Sequence, residues 1–192
     1  MPVVTVGPVP ELLEQPLIPP PLHGLNPRTI MGKTAWDEER RRVYRKYGFT
    51  CAACVVNGRD AFPLTRLEAH ERFRVDHPAR TMELIGMEPV CPACHAFVHG
   101  GLLEIRLHSG QVSRALGRRI LEHGVGVLGR IGGTVPQAAD QLCTRLGVRH
   151  ALRVAKPPPP TPWAGWRLLW EGRSYPSPYP TEGDWRRAMR DA

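Results

Sequence analysis

The chain has 192 residues, 26 Lys plus Arg against 18 Asp plus Glu, and a formal net charge of +8. With 42% hydrophobic and 23% charged residues it can bury a core, which excludes disorder throughout. No apolar run approaches the ~18 to 20 residues of a membrane helix, and Met1 to Pro10 has no basic stretch ahead of an apolar one, so the expectation is neither a transmembrane nor a secreted protein. The positive surplus points to a polyanionic partner, and it is concentrated in residues 100–156, which hold nine bases against three acids.

Residues 1–30 hold eight prolines, including Pro19-Pro20-Pro21, and read as an extended arm. A helix is predicted from about Ala35 to Tyr47, capped by Thr34, acidic in its first turn, basic through Arg40, Arg41, Arg42, Arg45 and Lys46, and stopped by Gly48. Trp36, Val43, Tyr44 and Tyr47 give it an apolar stripe suited to core packing. Leu64 to Glu71 and Thr81 to Glu88 read as short strands and Pro92 to His99 as a short helix, a β-β-α order, with Asp76-His77-Pro78 as a turn. Gln111 to His123 and Val135 to Leu146 read as helices separated by a glycine-rich joint, Gly124 to Gly133, with Thr134 as the cap of the second. Lys156 to Pro162 reads as a proline spacer before a tail whose Trp163, Trp166, Trp170 and Trp185 pin it to the domain. The organisation expected is a proline-rich arm over 1–30, a zinc-binding domain over 31–102, a basic helical extension over 103–155 and a tail over 156–192.

Cys51-x2-Cys54 and Cys91-x2-Cys94 are two turns able to bring four thiolates around one Zn²⁺. Disulfides are the alternative, but paired C-x2-C without a secretory signal favours metal. Four thiolates close the coordination shell, so this zinc is a structural staple. Cys143 is left over on the apolar face of a helix and reads as a buried thiol. Any chemistry falls to Leu67-Glu68-Ala69-His70-Glu71 and to His95 and His99. On a strand Glu68 and His70 share one face while Glu71 takes the other, unless the strand ends or bulges there. His95 and His99 stack on one face of a helix at the spacing that binds a metal jointly.

Taken together, Cys51-x2-Cys54, Leu67-Glu68-x-His70-Glu71 and Cys91-x2-Cys94-His95-x3-His99 resemble the HNH endonuclease motif in its zinc-stapled form. The likeness covers about Tyr47 to Leu102, and Leu22 to Thr29 looks like the leader of a bacterial and phage subgroup. The resemblance implies an α+β fold with a small ββα-metal core, flanked here by helices and proline-rich arms, that grips a divalent ion over the minor groove and cuts a phosphodiester. It implies structural Zn²⁺ on the four cysteines and a catalytic metal such as Mg²⁺, Mn²⁺ or Ni²⁺ on His70, His95 and His99. It further implies a DNA partner and a place in the cytoplasm of a bacterial or phage-infected cell. Two positions depart from the family pattern: Glu71 stands where the general-base His is usual, and Gly86 where the Asn is usual. Either His70 is the base and the metal rests on His95, His99 and an acid, or Glu71 accepts the proton.

Arg40, Arg41, Arg42, Arg45 and Lys46, with Arg114, Arg118 and Arg119, are the expected phosphate contacts. The function expected is a metal-dependent DNA endonuclease. The alternatives are a non-catalytic, zinc-stabilised nucleic-acid-binding module and an interaction adaptor using the proline-rich and Trp-rich ends.

Overall fold

The computed structural model describes residues 7–190; the first six residues of the proline-rich arm and the last two of the tail lie outside the described residues. The fold is mixed α+β with a small sheet. Helix α1, Pro27–Lys46, opens with a reciprocal cap. The Thr29 N–H donates to Asn26 Oδ1 at 3.0 Å and the Asn26 N–H donates to Thr29 Oγ1 at 3.1 Å. Helical geometry is interrupted at Gly32, φ 79°. The helix predicted from Ala35 is therefore the second of two stretches, and the start escaped notice because its cap uses Asn26 and Thr29 around a first-turn proline.

Strands β1, Glu68–Asp76, and β2, Thr81–Val90, are neighbours in the sheet, joined by a turn in which the Ala79 N–H donates to Asp76 Oδ1 at 2.8 Å. The first strand lies further along the chain than the predicted Leu64 to Glu71. Residues 62–66 bend, and the period-two pattern instead continues through Phe73 and Val75, which alternate with Arg72, Arg74 and Asp76. Helix α2, Pro92–Val98, follows directly, its N-terminus capped by a thiol: Cys91 Sγ accepts the Cys94 N–H at 3.4 Å. Helix α3, Gly100–His108, was not expected.

Helix α4, Arg114–Gly129, is capped by Ser113, whose Oγ accepts the Leu116 N–H at 3.2 Å. It runs through Gly124, the start of the predicted glycine joint. The reason is packing: a Cβ at Gly124 would stand 2.1 Å from Cδ2 of Phe97, so the residue serves close helix approach and not a hinge. Strand β3, Thr134–Val135, pairs in parallel with β4, Arg153–Val154, on either side of α5, Gln137–Leu146. Because Thr134 and Val135 are strand, α5 begins later than predicted and has no side-chain cap. Strands β5, Arg167–Trp170, and β6, Arg173–Pro176, pair antiparallel, and β5 pairs in parallel with β2, Thr81 opposite Arg167. Helix α6 is Glu182–Arg190. The four-stranded order is β1-β2-β5-β6.

The described residues gather into two compact units, each drawn from three segments: residues 7–15, 40–70 and 87–157 in one, residues 16–39, 71–86 and 158–190 in the other. The first has a core of Leu13, Val90, Phe97, Leu103, Ile120, Leu121, Leu128 and Leu142, with the four zinc-type cysteines and Cys143 buried in it. The second closes around Leu22, Phe73, Met82, Trp166 and Leu168. Its tryptophans pin the tail: Trp163 Nε1 donates to the Tyr179 carbonyl at 2.8 Å and Trp185 Nε1 to His23 Nδ1 at 3.2 Å. Among the described residues, no helix is long and apolar enough to cross a membrane.

Candidate metal centres

Cys51, Cys54, Cys91 and Cys94 come together as the spacing predicts, all buried, with their sulfurs within 4.8 Å of one another. The 3.8 Å between Cys54 Sγ and Cys91 Sγ is the edge length of a tetrahedron with Zn–S bonds of ~2.3 Å. The thiols are mutually perturbed. Hydrogen bonds from Cys51, Cys91 and Cys94 hold Cys54 far below the usual thiol range, while hydrogen bonding with Cys51 and Cys54 holds Cys91 and Cys94 far above it. Four buried sulfurs at this spacing suit a divalent cation of thiolate preference such as zinc.

One partner of the cluster has no sequence signal. His123, on α4, places Nε2 3.3 Å from Cys94 Sγ and 3.9 Å from Cys91 Sγ. Its ring stands edge-on to Phe62, centroids 5.3 Å apart, and the Arg119 guanidinium lies 5.1 Å from the centre of that Phe62 ring. A ring nitrogen at this distance from a sulfur fixes the orientation of both groups, whichever carries the proton. Nothing in the spacing of His123 from either cysteine pair announces this contact.

The second cluster is His70, His95 and His99, whose ring nitrogens also lie within 4.8 Å of one another. Centroid separations are 5.4 Å for His70 to His95, 5.2 Å for His70 to His99 and 4.7 Å for His95 to His99. His70 is 1% exposed, and neither of its ring nitrogens has a hydrogen-bond partner. A buried, unsatisfied polar atom costs about 1–3 kcal/mol, so two on one ring mark a place prepared for something that bonds to nitrogen. Burial pushes His70 well below its ordinary pKa, with His95 and His99 adding to the effect, and burial pushes His99 down to about 4. Both imidazoles are thus neutral near pH 7, the state a metal requires.

Glu68 orients this cluster. Its Oε2 meets His95 Nδ1 at 2.6 Å, which leaves His95 Nε2 for a metal, the carboxylate–histidine arrangement common around metal sites. Oε1 accepts from Arg66, Nε at 3.1 Å and Nη2 at 2.6 Å. Hydrogen bonding from His95, then from Arg66, holds the Glu68 carboxyl down at about 2. The strand alternation of Glu68 and His70 contained this signal; the role of Arg66 had none.

Glu71 follows His70 on the other face of β1 and is not among the clustered metal-type residues. Gly86 lies within β2. Of the basic residues, Arg41, Arg45, Lys46, Arg114, Arg118 and Arg119 are exposed, and Arg40 and Arg42 have interactions of their own. Arg118 pairs with Glu122 at 2.8 Å, one turn along α4, and Arg114 donates to the Arg145 carbonyl at 3.3 Å. Comparison with known protein families, with curated proteins and with solved structures finds no match to this chain.

Proposed function

We propose that the chain is an HNH-type endonuclease that hydrolyses DNA phosphodiesters at a divalent metal held by His70, His95 and His99. The observation that carries the reading is the convergence of three imidazoles, His70 from β1, His95 from α2 and His99 from the cap that follows it, with His70 buried and its nitrogens unpartnered. A divalent cation there supplies Lewis-acid stabilisation of the charge that develops on the phosphorane and the departing 3′ oxygen. His95, its Nδ1 fixed by Glu68, turns Nε2 to the cluster, and His99, kept neutral by burial, presents a nitrogen ligand without first losing a proton. His70 either completes that ligand set or takes the proton from the attacking water; Glu71, on the opposite strand face, is the other acceptor the motif offers. The exposed bases of α1 and α4 supply phosphate contacts, so binding weakens steeply with salt.

Supercoiled plasmid incubated with the protein and Mg²⁺, Mn²⁺ or Ni²⁺ is expected to be nicked, and His70→Ala to abolish nicking while one zinc per chain is retained. The departures at Glu71 and Gly86 favour one other reading, a zinc-stabilised nucleic-acid-binding module without catalysis. Plasmid that shifts in mobility and is never cut with any of these metals establishes that reading in place of the first.

A further inference from the structure

In the unit that carries both clusters, a groove of about 480 Å³ opens between the end of α1 and the segment leading into β1. That volume falls within the ~300–1,000 Å³ of small-ligand sites. Its walls include Tyr44, Phe49, Asn57, Arg59, Thr65 and Arg66, and among the described residues no carboxylate lines it. The cations and the aromatic surface face the same space.

Phe49 is the unusual member. It is 54% exposed, and its φ is 57°, in the left-handed region that bulky side chains rarely occupy. The backbone holds it there from both sides: its N–H donates to the Tyr44 carbonyl and its carbonyl accepts the Gly58 N–H, both at 2.9 Å. A bulky residue kept in a costly conformation, with its ring turned to solvent at a groove, is the pattern of a contact surface more than of packing. Tyr44 cannot swing away, because its hydroxyl donates to the Leu67 carbonyl at 3.1 Å.

The groove also connects to the three-histidine cluster. Arg66 lines it and grips Glu68, which holds His95. Both Arg66 contacts go to one carboxylate oxygen through Nε and Nη2, leaving Nη1 for another acceptor. An unstacked nucleobase satisfies a flat aromatic surface, and the phosphate attached to it meets Arg59 and the remaining Nη1 of Arg66, whose Nε and Nη2 stay on Glu68.

We infer that this groove binds one nucleotide of a single-stranded stretch of nucleic acid, the base stacked on Phe49 and its phosphate held by Arg59 and Arg66. The role this gives the groove, positioning strand beside the histidine cluster, rests on the endonuclease reading; the binding itself does not.

The test uses the full chain, zinc-loaded and with no other divalent metal, and fluorescence anisotropy of a labelled strand of about a dozen thymidylates. Phe49→Gly removes the ring and suits the left-handed backbone, so it retains the fold; Phe49→Trp keeps an aromatic face. Phe49→Gly is expected to bind roughly 5- to 100-fold more weakly, the worth of one base–aromatic stack, and Phe49→Trp to bind like the parent. A strand of the same length with abasic units keeps the phosphates and is expected to bind the parent protein as weakly as thymidylate binds Phe49→Gly. Arg59→Ala weakens both strands alike. No binding of thymidylate, equal binding by Phe49→Gly, or equal affinity for abasic and thymidylate strands each overturns the inference. A chain that nicks plasmid yet ignores bases keeps the endonuclease reading and loses the groove; one that never nicks yet needs Phe49 for base-dependent binding does the reverse.

Discussion

Gly124 offers a sharp trial of how the two clusters are held in place. Replacing a glycine inside a helix with alanine ordinarily gains about 1 kcal/mol. At Gly124 the added carbon would meet Phe97 Cδ2 at 2.1 Å and Cγ at 2.2 Å, against the ~3.5–4.0 Å of a comfortable carbon contact. Cγ lies on the axis about which the ring turns, so ring rotation cannot relieve the contact. Phe97 is fully buried on α2 between His95 and His99, and α4 must therefore retreat from α2. Overpacking costs about 1–3 kcal/mol and occasionally more; an overlap this deep belongs at the upper end, about 3 kcal/mol, which leaves a net loss near 2 kcal/mol after the helix gain. At about 2–4 °C per kcal/mol for a chain of this size, Gly124→Ala should lower Tm by about 4–8 °C in circular-dichroism melts. Gly126, two residues on, has nothing within 4 Å of an added Cβ, and Gly126→Ala should raise Tm by about 1–4 °C. A Tm for Gly124→Ala at or above that of the parent would refute the close approach of α2 and α4.

Three further outcomes are expected. Cys91→Ser should lose the zinc from metal analysis and, because structural zinc commonly supplies ~10 kcal/mol or more, lose cooperative unfolding of the unit that holds it. Glu68→Ala frees His95 Nδ1 and should weaken Ni²⁺ binding at the histidine cluster about 10- to 100-fold by calorimetric titration, with cysteine-bound zinc unchanged. Acid should destabilise the metal-free histidine cluster in a defined window. His99 has a folded pKa of about 4 against an ordinary 6.5, so between those values the unfolded chain binds a proton that the folded chain refuses, and stability falls as pH drops through that range. His99→Leu should flatten that part of the urea-midpoint profile relative to the parent, and an unchanged slope would contradict it.

Where the sequence was informative, short spacings did the work. Cys-x2-Cys turns, an i,i+4 histidine pair and a strand with Glu and His on one face each specify local geometry, and all three reappear in the fold. What escaped was set by contacts distant in sequence. His123 reaches Cys94 across 29 residues. Gly124 reads as part of a joint because composition cannot separate a glycine that bends the chain from one that lets two helices touch. The start of α1 and the true extent of β1 were missed for a local reason: a capping pair around a proline, and a strand whose alternation continues past the motif that drew attention to it.

The interleaving of segments has a consequence for how the protein is made. The chain passes from one unit to the other and back, so the unit with both clusters cannot close until residue 157 has been synthesised, and the other draws on residues beyond 158. At ribosomal speeds of about 5–20 residues per second, Cys51 and Cys54 emerge some seconds before Cys91 and Cys94 can join them. During that interval Cys51 and Cys54 lack the two sulfurs that complete their cluster, so the four-cysteine site can form only after the chain has passed Cys94.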